Sequence, residues 1–423
     1  MVYYCLFKIK YRKYLDFKLQ IGYNYFIKYF GVIMILFKNV RPIIDGKIEE
    51  KCDIAVNNGK IYDIASNIDI SSADITYDLK GGILASGYID IHTHGGGGHD
   101  MMEGTKVAIE EISKYHLITG TTTYCPTTLT ADLPTTLAAL DNVRKYNSPY
   151  ARIYGTHLEG PFLSMKAPGA HPPAYILEPN EKNTEWVWDN KDIVSRITVA
   201  PDQKSSDWFT KKCTENNIQI SMGHDASIDD EINALTKNGA SSVTHMYNCT
   251  SRCSRRTTPH KHLGLTEVGL TDDRLYNEVI ADNRHVPNPL FKMIYKLKGA
   301  DKICLVSDSL AIAGNHGGEF FLGSGISKQK IVIEEDVAII KELNTYAGSV
   351  TPISKMVANL CQNLNIPLGE CVKMASLNQA KLMKMTDRGD IKVGMLADFN
   401  LIDEKGNLLK TYLGGVEANK DNI

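Results

Sequence analysis

The sequence has almost no net charge and no long apolar run near its start. Its formal net charge is −2 over 423 residues. The chain therefore lacks the excess of positive charge that binding to nucleic acid or to an anionic membrane surface usually requires. The longest uncharged run there, residues 29–37, falls well short of the roughly 18 residues that a membrane-spanning helix needs. We therefore expect neither a nucleic-acid partner nor a membrane partner.

Cysteine pairs with the two-residue spacing of metal and redox motifs are also absent. The nine cysteines are scattered and form no Cys-x-x-Cys pair. An odd number at this density, without a secretory leader, is typical of reduced thiols. This pattern predicts a cytoplasmic protein. The rest of the composition, with 43% hydrophobic and 23% charged residues, is that of a globular protein with a sizeable core.

The first 33 residues differ in composition from the rest of the chain. They hold eleven Tyr or Phe, and six Lys or Arg against one acidic residue, Asp16. They lack the uninterrupted apolar centre and the cleavage site of a secretory signal. We expect the chain proper to start at Met34, with residues 1–33 as translated upstream sequence outside the fold. A basic, aromatic membrane-surface anchor is the alternative.

Both ends of the remaining chain carry short β-rich runs. Asp-Gly and Asn-Gly turns, which are typical of hairpins, separate the runs near the N-terminus. We predict that residues 34–83 and 385–423 together build one small β-sandwich domain. The strand candidates lie at residues 34–40, 53–57, 60–64, 398–402 and 407–412.

The middle of the chain, residues 84–384, alternates apolar strand candidates with helical periods, which is the pattern of a parallel sheet. The strand candidates are residues 89–94, 121–127, 152–159, 196–201, 219–224, 242–247, 278–282 and 303–308. The helix candidates are residues 107–119, 133–145, 206–216, 228–238, 288–297, 352–364 and 369–384. Eight β/α units over about 220 residues predict an α/β fold, a TIM-type (β/α)8 barrel.

Polar residues stand where the predicted strands end, which is where catalytic groups gather in such a barrel. His92 and His94 are one residue apart on strand 1, so both rings point to the same side. A single histidine is more often a hydrogen-bonded core residue, but chance placement explains the whole set poorly. Four histidines and two carboxylates at one pole predict a metal centre. The strand-end set comprises His92, His94, His157, Glu159, His224, His245, His285 and Asp308.

This arrangement resembles the amidohydrolase superfamily. Within it, the run His-Leu-Glu-Gly-Pro at residues 157–161 is similar to a block of the N-acetylglucosamine-6-phosphate deacetylase family. The resemblance extends from around Met34 to the C-terminus, and it implies the same barrel and the same reaction. Further agreeing blocks lie at residues 120–127, 221–224, 347–349 and 389–398.

The resemblance implies a ligand set for a divalent metal, zinc or iron, both of which suit imidazole and carboxylate ligands. Relatives without the His-x-His pair hold one ion. This chain keeps the pair, so we expect one or two ions. By position, the two implied sites are Glu159 with His224 and His245, and His92 with His94 and Asp308.

The resemblance also implies catalytic roles. A metal ion lowers the pKa of its bound water to about 7 and so supplies the nucleophile. Asp308 is expected to take the proton of that water and to pass it to the leaving amine. His171, in a loop twelve residues past Glu159, matches the family's donor to the acetyl oxygen, where negative charge develops.

The loop after strand 6 departs from the family pattern. The family has Asn-Ala-Met and then Arg-x-Pro-Gly, whereas this chain has Cys249 after Asn248 and no Pro-Gly. We expect Arg256 to bind the sugar phosphate, with Arg252 and Arg255 as alternatives. The alternative to phosphate binding is that these arginines form a solvent-exposed basic loop without a role in binding. The implied substrate-binding residues are His171, Asn248, Cys249, Arg256 and His285.

The predicted function is metal-dependent hydrolysis of the acetamide of N-acetylglucosamine 6-phosphate to glucosamine 6-phosphate and acetate, in amino-sugar catabolism. The family also implies a homodimer. The altered loop leaves open another N-acetylhexosamine or its phosphate, and an amidohydrolase acting on another small amide is a further alternative. A catalytically inactive barrel is disfavoured, because every ligand position is kept.

Overall fold

The computed structural model describes residues 33–69, 73–254, 259–314, 320–323, 328–334 and 337–418. The predictions for residues 1–32, Arg255 and Arg256 therefore lie outside the described residues. Within the described ranges, no helix combines the length and the apolar character needed to cross a bilayer.

A parallel barrel forms the centre of the molecule, and each strand pairs in parallel with the next. Nearly all of its strand residues are buried, because helices cover the outside and side chains fill the inside. The predicted TIM-type α/β fold is confirmed. The strands, numbered β1 to β8 along the chain, are Tyr88–Thr93, Thr121–Thr128, Thr156–Glu159, Val194–Val199, Gln219–Met222, Ser242–Val243, Tyr276–Val279 and Ile303–Leu305.

The barrel closes between β1 and the residues that follow β8. The amide of Asp308 donates to the carbonyl of His92 at 2.9 Å, and the amide of His94 donates to the carbonyl of Ser309 at 2.9 Å. These hydrogen bonds hold the His-x-His pair beside Asp308. The closure of the fold and the assembly of the predicted centre therefore depend on the same backbone contacts.

Helices alternate with the barrel strands. Thr105, Asp132 and Asn180 cap three of them, because each side chain accepts a hydrogen bond from an amide of the first turn. The helices are Lys106–Ile118, Leu133–Lys145, Glu181–Asp189, Ser206–Glu215, Asp229–Lys237, Leu265–Thr271, Asn288–Lys298, Ile353–Leu364, Leu368–Ala375 and Leu377–Leu382. Shorter pieces are the strands Gly95–Gly96, His99–Asp100 and Arg152–Ile153 and the 3-10 helices Met101–Glu103, Pro173–Tyr175, Ala300–Lys302 and Lys341–Leu343.

Three helical details differ from the sequence-based predictions. Glu181–Asp189 and Leu265–Thr271 were not predicted, because helices of nine and seven residues are too short to show a clear helical period. The single helix expected at residues 369–384 is wrong. The chain breaks at Ser376, where φ is −148° and ψ is −67°, and forms two shorter helices instead.

The two chain ends share one β domain beside the barrel. Its core joins Phe37 from the first strand to Phe399 and Tyr412 from the last part of the chain, with ring centroids 5.3 and 5.1 Å from Phe37. The predicted common domain is confirmed, and its boundaries stay a prediction. The strands are Met34–Ile44, Lys47–Ile48, Cys52–Asn57, Lys60–Ala65, Ile75–Asp78, Ile83–Ser86, Phe399–Ile402, Leu408–Leu413 and Val416–Ala418.

An antiparallel sheet that the sequence analysis did not predict follows β8. After its last strand the chain returns to the barrel mouth, where the amide of Ser349 donates to the carbonyl of Asp308 at 2.8 Å. This return places residues 345–348 beside the predicted centre. The strands of the sheet are Phe320–Leu322, Gln329–Glu334, Val337–Ile340 and Thr345–Gly348.

We expect Phe37→Ala to lower the free energy of unfolding by about 3–5 kcal/mol, the usual cost of truncating a fully buried phenylalanine. Phe37 is fully buried, whereas Tyr62 in the same domain is 60% exposed. Urea unfolding followed by circular dichroism measures the change, with Tyr62→Ala as the matched control. Similar losses in the two variants would contradict the proposed core.

Candidate active site

The carboxylate of Glu159 lies at the barrel mouth in a ring of imidazoles. Glu159 is the last residue of β3 and is 2% exposed. A carboxylate buried this deeply is costly unless charged or polar partners surround it. Five histidines supply them, with Nε2 to carboxylate oxygen distances of 2.8 Å for His245, 3.0 Å for His94, 3.3 Å for His171 and His224, and 3.4 Å for His92.

His224 and His245 face one oxygen of that carboxylate, Oε1. They follow β5 and β6, which end at Met222 and Val243 and are shorter than predicted. Both backbones enter the left-handed region, with φ of +46° and +24°, which is uncommon for residues other than glycine. The two Nε2 atoms come within 3.1 Å of each other. Two neighbouring strands thus direct their rings to one point.

His92 and His94 face the other oxygen of Glu159 and also Asp308. Their Nε2 atoms lie 3.6 and 3.3 Å from Asp308 Oδ1. Both predicted ligand sets are therefore brought together around one carboxylate. Three overlapping groups have ligand atoms within 4.8 Å of one another: His92, His94 and Asp308; His92, Glu159 and His245; and Glu159, His171 and His224.

Hydrogen bonds fix which nitrogen of two histidines faces the centre. His92 Nδ1 donates to Glu278 Oε2 at 3.2 Å, and His224 Nδ1 donates to the carbonyl of Ala167 at 3.1 Å. In the neutral form that a metal ligand must adopt, each ring then has its lone pair on Nε2. His92 Nε2 is buried and has no hydrogen-bond partner among the described residues. An unpartnered imidazole lone pair directed at two carboxylates suits a divalent metal ion.

The carboxylates favour positive charge at the centre. Burial raises the pKa of Glu159, but the charge of His92 and the hydrogen bonds from His171 and His224 outweigh it and hold the pKa well below its usual range. At Asp308, burial likewise raises the pKa, but the nearby charges of His92 and His94 lower it by more, so the pKa of Asp308 also falls below its usual range. Burial lowers the pKa of His94, yet hydrogen bonds with Asp308 and Glu159 raise it to about 9. The centre therefore attracts protons or a metal cation.

His171 reaches the centre from a loop rather than from a strand end. The backbone amide of Thr130, which can only donate, lies 3.3 Å from His171 Nδ1, and the Thr130 hydroxyl lies 2.8 Å from the same atom. Nδ1 is therefore an acceptor, and the ring proton is on Nε2, which points to Glu159. Burial lowers the pKa of His171 to about 4, so the ring is neutral near pH 7.

Gly169 lets this loop pack against the centre. Its φ is +58°, and a Cβ at this position would lie 2.9 Å from the Cys249 sulfur and 3.1 Å from His224 Cε1. Both the backbone conformation and the close approach require glycine. The loop that carries His171 can therefore reach Glu159 only with a glycine here.

A pocket of about 230 Å³ opens above the centre, a size that suits a small ligand. Asn248, Cys249 and His285, which the sequence analysis predicts to bind substrate, line this pocket; their role in binding stays a prediction. His285 Nδ1 donates to Asp282 Oδ2 at 2.7 Å. Of the arginine alternatives in the described residues, Arg252 is exposed and is not among the lining residues.

His157 does not join the centre, although it belongs to the same strand as Glu159. Its Nε2 lies 2.8 Å from the Thr198 hydroxyl and its Nδ1 3.3 Å from the Thr127 hydroxyl. Burial and the nearby charge of Arg196 hold the pKa of His157 well below its usual range. The neutral ring packs edge-on against His92 at a centroid distance of 4.6 Å, so its role is structural support.

Sequence reasoning missed four residues around the centre. Thr130 and Tyr346 come from segments outside the predicted strands, and nothing in their local pattern indicates a site. The Tyr346 ring packs 4.9 Å from His285 at the pocket wall. Arg196 and Glu278 are the first residues of predicted strands 4 and 7. Charged residues are rare at buried strand positions, so their presence there could have indicated a role at the site.

Comparisons with known proteins agree with this geometry. A family model described as "Amidohydrolase family" matches residues 83–418. An N-acetylglucosamine-6-phosphate deacetylase of Lysinibacillus sphaericus is 29% identical over 387 residues, which are 90% of this chain and 97% of that protein. An N-acetylgalactosamine-6-phosphate deacetylase of Shewanella sp. (strain ANA-3) is 28% identical over 90% of this chain and 95% of that protein.

Among solved structures, the N-acetylglucosamine-6-phosphate deacetylase of Pasteurella multocida superimposes with a TM-score of 0.83. The two chains are 26% identical, and the match covers 92% of this chain and all of that one. The similarity therefore extends over the barrel and the small domain together.

We expect the purified protein to contain a divalent metal ion and Glu159→Gln to lose it, because the amide removes the negative charge at the centre of the histidine ring. Elemental analysis measures the metal content of both proteins. Glu185→Gln, which changes an exposed glutamate on the helix Glu181–Asp189, is the control. Unchanged metal content in Glu159→Gln would contradict the central place of this carboxylate.

Proposed function

This chain belongs to the amidohydrolase family, and we propose that it removes the acetyl group from N-acetylglucosamine 6-phosphate. The products are glucosamine 6-phosphate and acetate, and the reaction belongs to amino-sugar catabolism. The cluster around Glu159 carries this proposal, because its imidazole and carboxylate donors suit a divalent ion and a pocket for a small ligand lies directly above it.

Two overlapping ligand sets would hold the metal, as one or two ions, and zinc or iron is the proposed identity. One set is Glu159 with His224 and His245, and the other is His92 with His94 and Asp308. When bound, the ion supplies Lewis acidity, which lowers the pKa of a coordinated water to about 7 and polarises the acetyl carbonyl.

Asp308 is the proposed proton carrier. It is 7% exposed and lines the pocket, and its low pKa keeps it ionised at neutral pH. The carboxylate takes a proton from the attacking water and gives it to the amide nitrogen. The sugar nitrogen then leaves as an amine rather than as an unstable anion.

His171 is the proposed donor to the acetyl oxygen. Because Thr130 contacts Nδ1, the ring proton is on Nε2, which lies 3.3 Å from Glu159 Oε2 in the pocket lining. A neutral imidazole held in this tautomer donates a hydrogen bond to the oxygen that becomes negative in the tetrahedral intermediate. The Thr130 contacts fix its orientation before substrate arrives.

The sugar is proposed to bind along the loops after β6 and β7. Asn248, Cys249 and His285 line the pocket. Arg256 is the proposed phosphate ligand, with Arg252 and Arg255 as alternatives, because arginine forms paired hydrogen bonds with phosphate oxygens.

N-acetylgalactosamine 6-phosphate is the second candidate substrate. A relative named for this epimer is almost as similar to the chain as the first, at 28% against 29% identity. The loop after β6 also differs from the family pattern at Cys249. The choice between epimers therefore depends on residues of the pocket wall rather than on the metal centre.

A cytoplasmic homodimer is the proposed form of the protein. The eight cysteines of the described residues are all free thiols, which supports a reducing compartment. The proposed dimer follows from the family resemblance. Gel filtration with light scattering measures the oligomeric state.

A panel of N-acetylglucosamine, its 6-phosphate and N-acetylgalactosamine 6-phosphate tests the substrate. We expect fastest acetate release from N-acetylglucosamine 6-phosphate and a large loss without phosphate, because the basic loop loses its anion. Preference for the galactosamine analogue would select the second candidate. Equal rates with and without phosphate would contradict both and favour an unphosphorylated N-acetylhexosamine or another small amide.

We expect Asp308→Asn to reduce kcat for acetate release by at least about 100-fold, because the amide can neither accept nor deliver the proton. Asp189→Asn, which changes an aspartate at the end of a surface helix, should retain full activity. Circular dichroism checks that both variants fold. Full activity in Asp308→Asn would disprove the proposed proton transfer.

A further inference from the structure

The largest fully buried side chain in the described part of the chain is that of Arg196, on β4 inside the barrel. Its guanidinium pairs with Glu278 on β7, which is also fully buried. It donates further to the carbonyl of Ile91 at 3.3 Å and to the Ser242 hydroxyl at 3.4 Å. A buried ion pair is expensive to desolvate and adds little stability over apolar packing. Its presence in a barrel core therefore needs a reason besides stability.

Glu278 connects this pair to the metal centre. One carboxylate oxygen, Oε2, accepts from His92 Nδ1 at 3.2 Å, and the other, Oε1, accepts from the Ser221 hydroxyl at 3.4 Å. Arg196 neutralises the carboxylate and holds it in place. The hydrogen bond from His92 Nδ1 to Glu278 therefore fixes the ring, and the lone pair of Nε2 faces Glu159 and Asp308.

The other ligating histidines have no such support. His224 Nδ1 donates to a neutral carbonyl, and His94 Nδ1 and His245 Nδ1 have no hydrogen-bond partner among the described residues. Of these four rings, His92 alone donates to a charged acceptor behind it. A carboxylate behind a ligating histidine fixes its tautomer and raises its basicity, and its loss typically weakens metal binding about 10–100-fold.

We propose that Arg196 and Glu278 are positioning residues that hold His92 as a metal ligand and thereby determine occupancy of the metal position formed by His92, His94 and Asp308. This inference rests on the proposed metal centre. The hydrogen bonds and the ion pair described for Arg196 and Glu278 do not reach Glu159, His224 or His245, so the position formed by these three residues should keep its affinity. Arg196 and Glu278 are fully buried in the barrel and do not line the pocket.

The test is calorimetric titration of metal-free protein with Zn²⁺, because it measures each binding step without any activity. His92→Ala identifies the step that belongs to the His92 position. Glu278→Gln keeps the shape and removes the charge. The double variant Arg196→Met with Glu278→Leu removes both charges, so no unpaired buried charge remains to unfold the barrel. Glu185→Gln is the surface control.

We expect two Zn²⁺ in the wild-type protein and one in His92→Ala. Glu278→Gln and the double variant should weaken the step lost in His92→Ala by about 10–100-fold and leave the other step unchanged. Equal weakening of both steps would show a general structural role and overturn the inference. Unchanged titration of the double variant would overturn it as well.

The stoichiometry separates this inference from the proposed function. One Zn²⁺ in the wild-type protein, unaffected by His92→Ala, would overturn the inference and leave the deacetylase proposal intact, since Glu159, His224 and His245 still hold an ion. A wild-type protein that binds no Zn²⁺, Fe²⁺ or other divalent ion would contradict the proposed function itself and the inference with it.

Discussion

The structure depends on one buried carboxylate, that of Glu159, and on the cations or donors that must surround it. A lone carboxylate at 2% exposure would be destabilising. Here it is compensated by imidazoles from β1, from the loop after β3 and from the ends of β5 and β6. The register of these strands is therefore tied to the chemistry, because a shift of one residue would turn a ligand away from the centre.

The same backbone hydrogen bonds close the barrel and assemble the candidate active site. The hydrogen bonds that join β1 to the segment after β8 also place Asp308 against His92 and His94. Below them, Arg196 and Glu278 replace apolar side chains in the barrel core and support His92 from behind. The barrel core thus contains a buried ion pair that orients the His92 ring. On this account the His-x-His pair, with its support, controls a second metal position, while Glu159, His224 and His245 are sufficient for the first.

Much of this was predictable from sequence because strand alternation and strand ends determine where side chains meet. Spacing alone placed His92 with His94, and the parallel order brought Glu159 and Asp308 to the same pole. The ends of β5 and β6 were not predictable to the residue, since His224 and His245 adopt left-handed backbone that their local sequence does not indicate. The sheet between Phe320 and Gly348 was missed because its strands are short and its contacts with the pocket are non-local. Whether Arg256 meets the phosphate stays a prediction.

The position of the metal tests the central claim most directly. Anomalous diffraction from a crystal of metal-loaded protein, collected on both sides of the absorption edge, locates the ion independently of any substrate. We predict an anomalous peak about 2.0–2.2 Å from an oxygen of Glu159 and within similar reach of His224 and His245. The absence of any peak within that reach of Glu159, His224 and His245 in metal-loaded crystals would contradict this account.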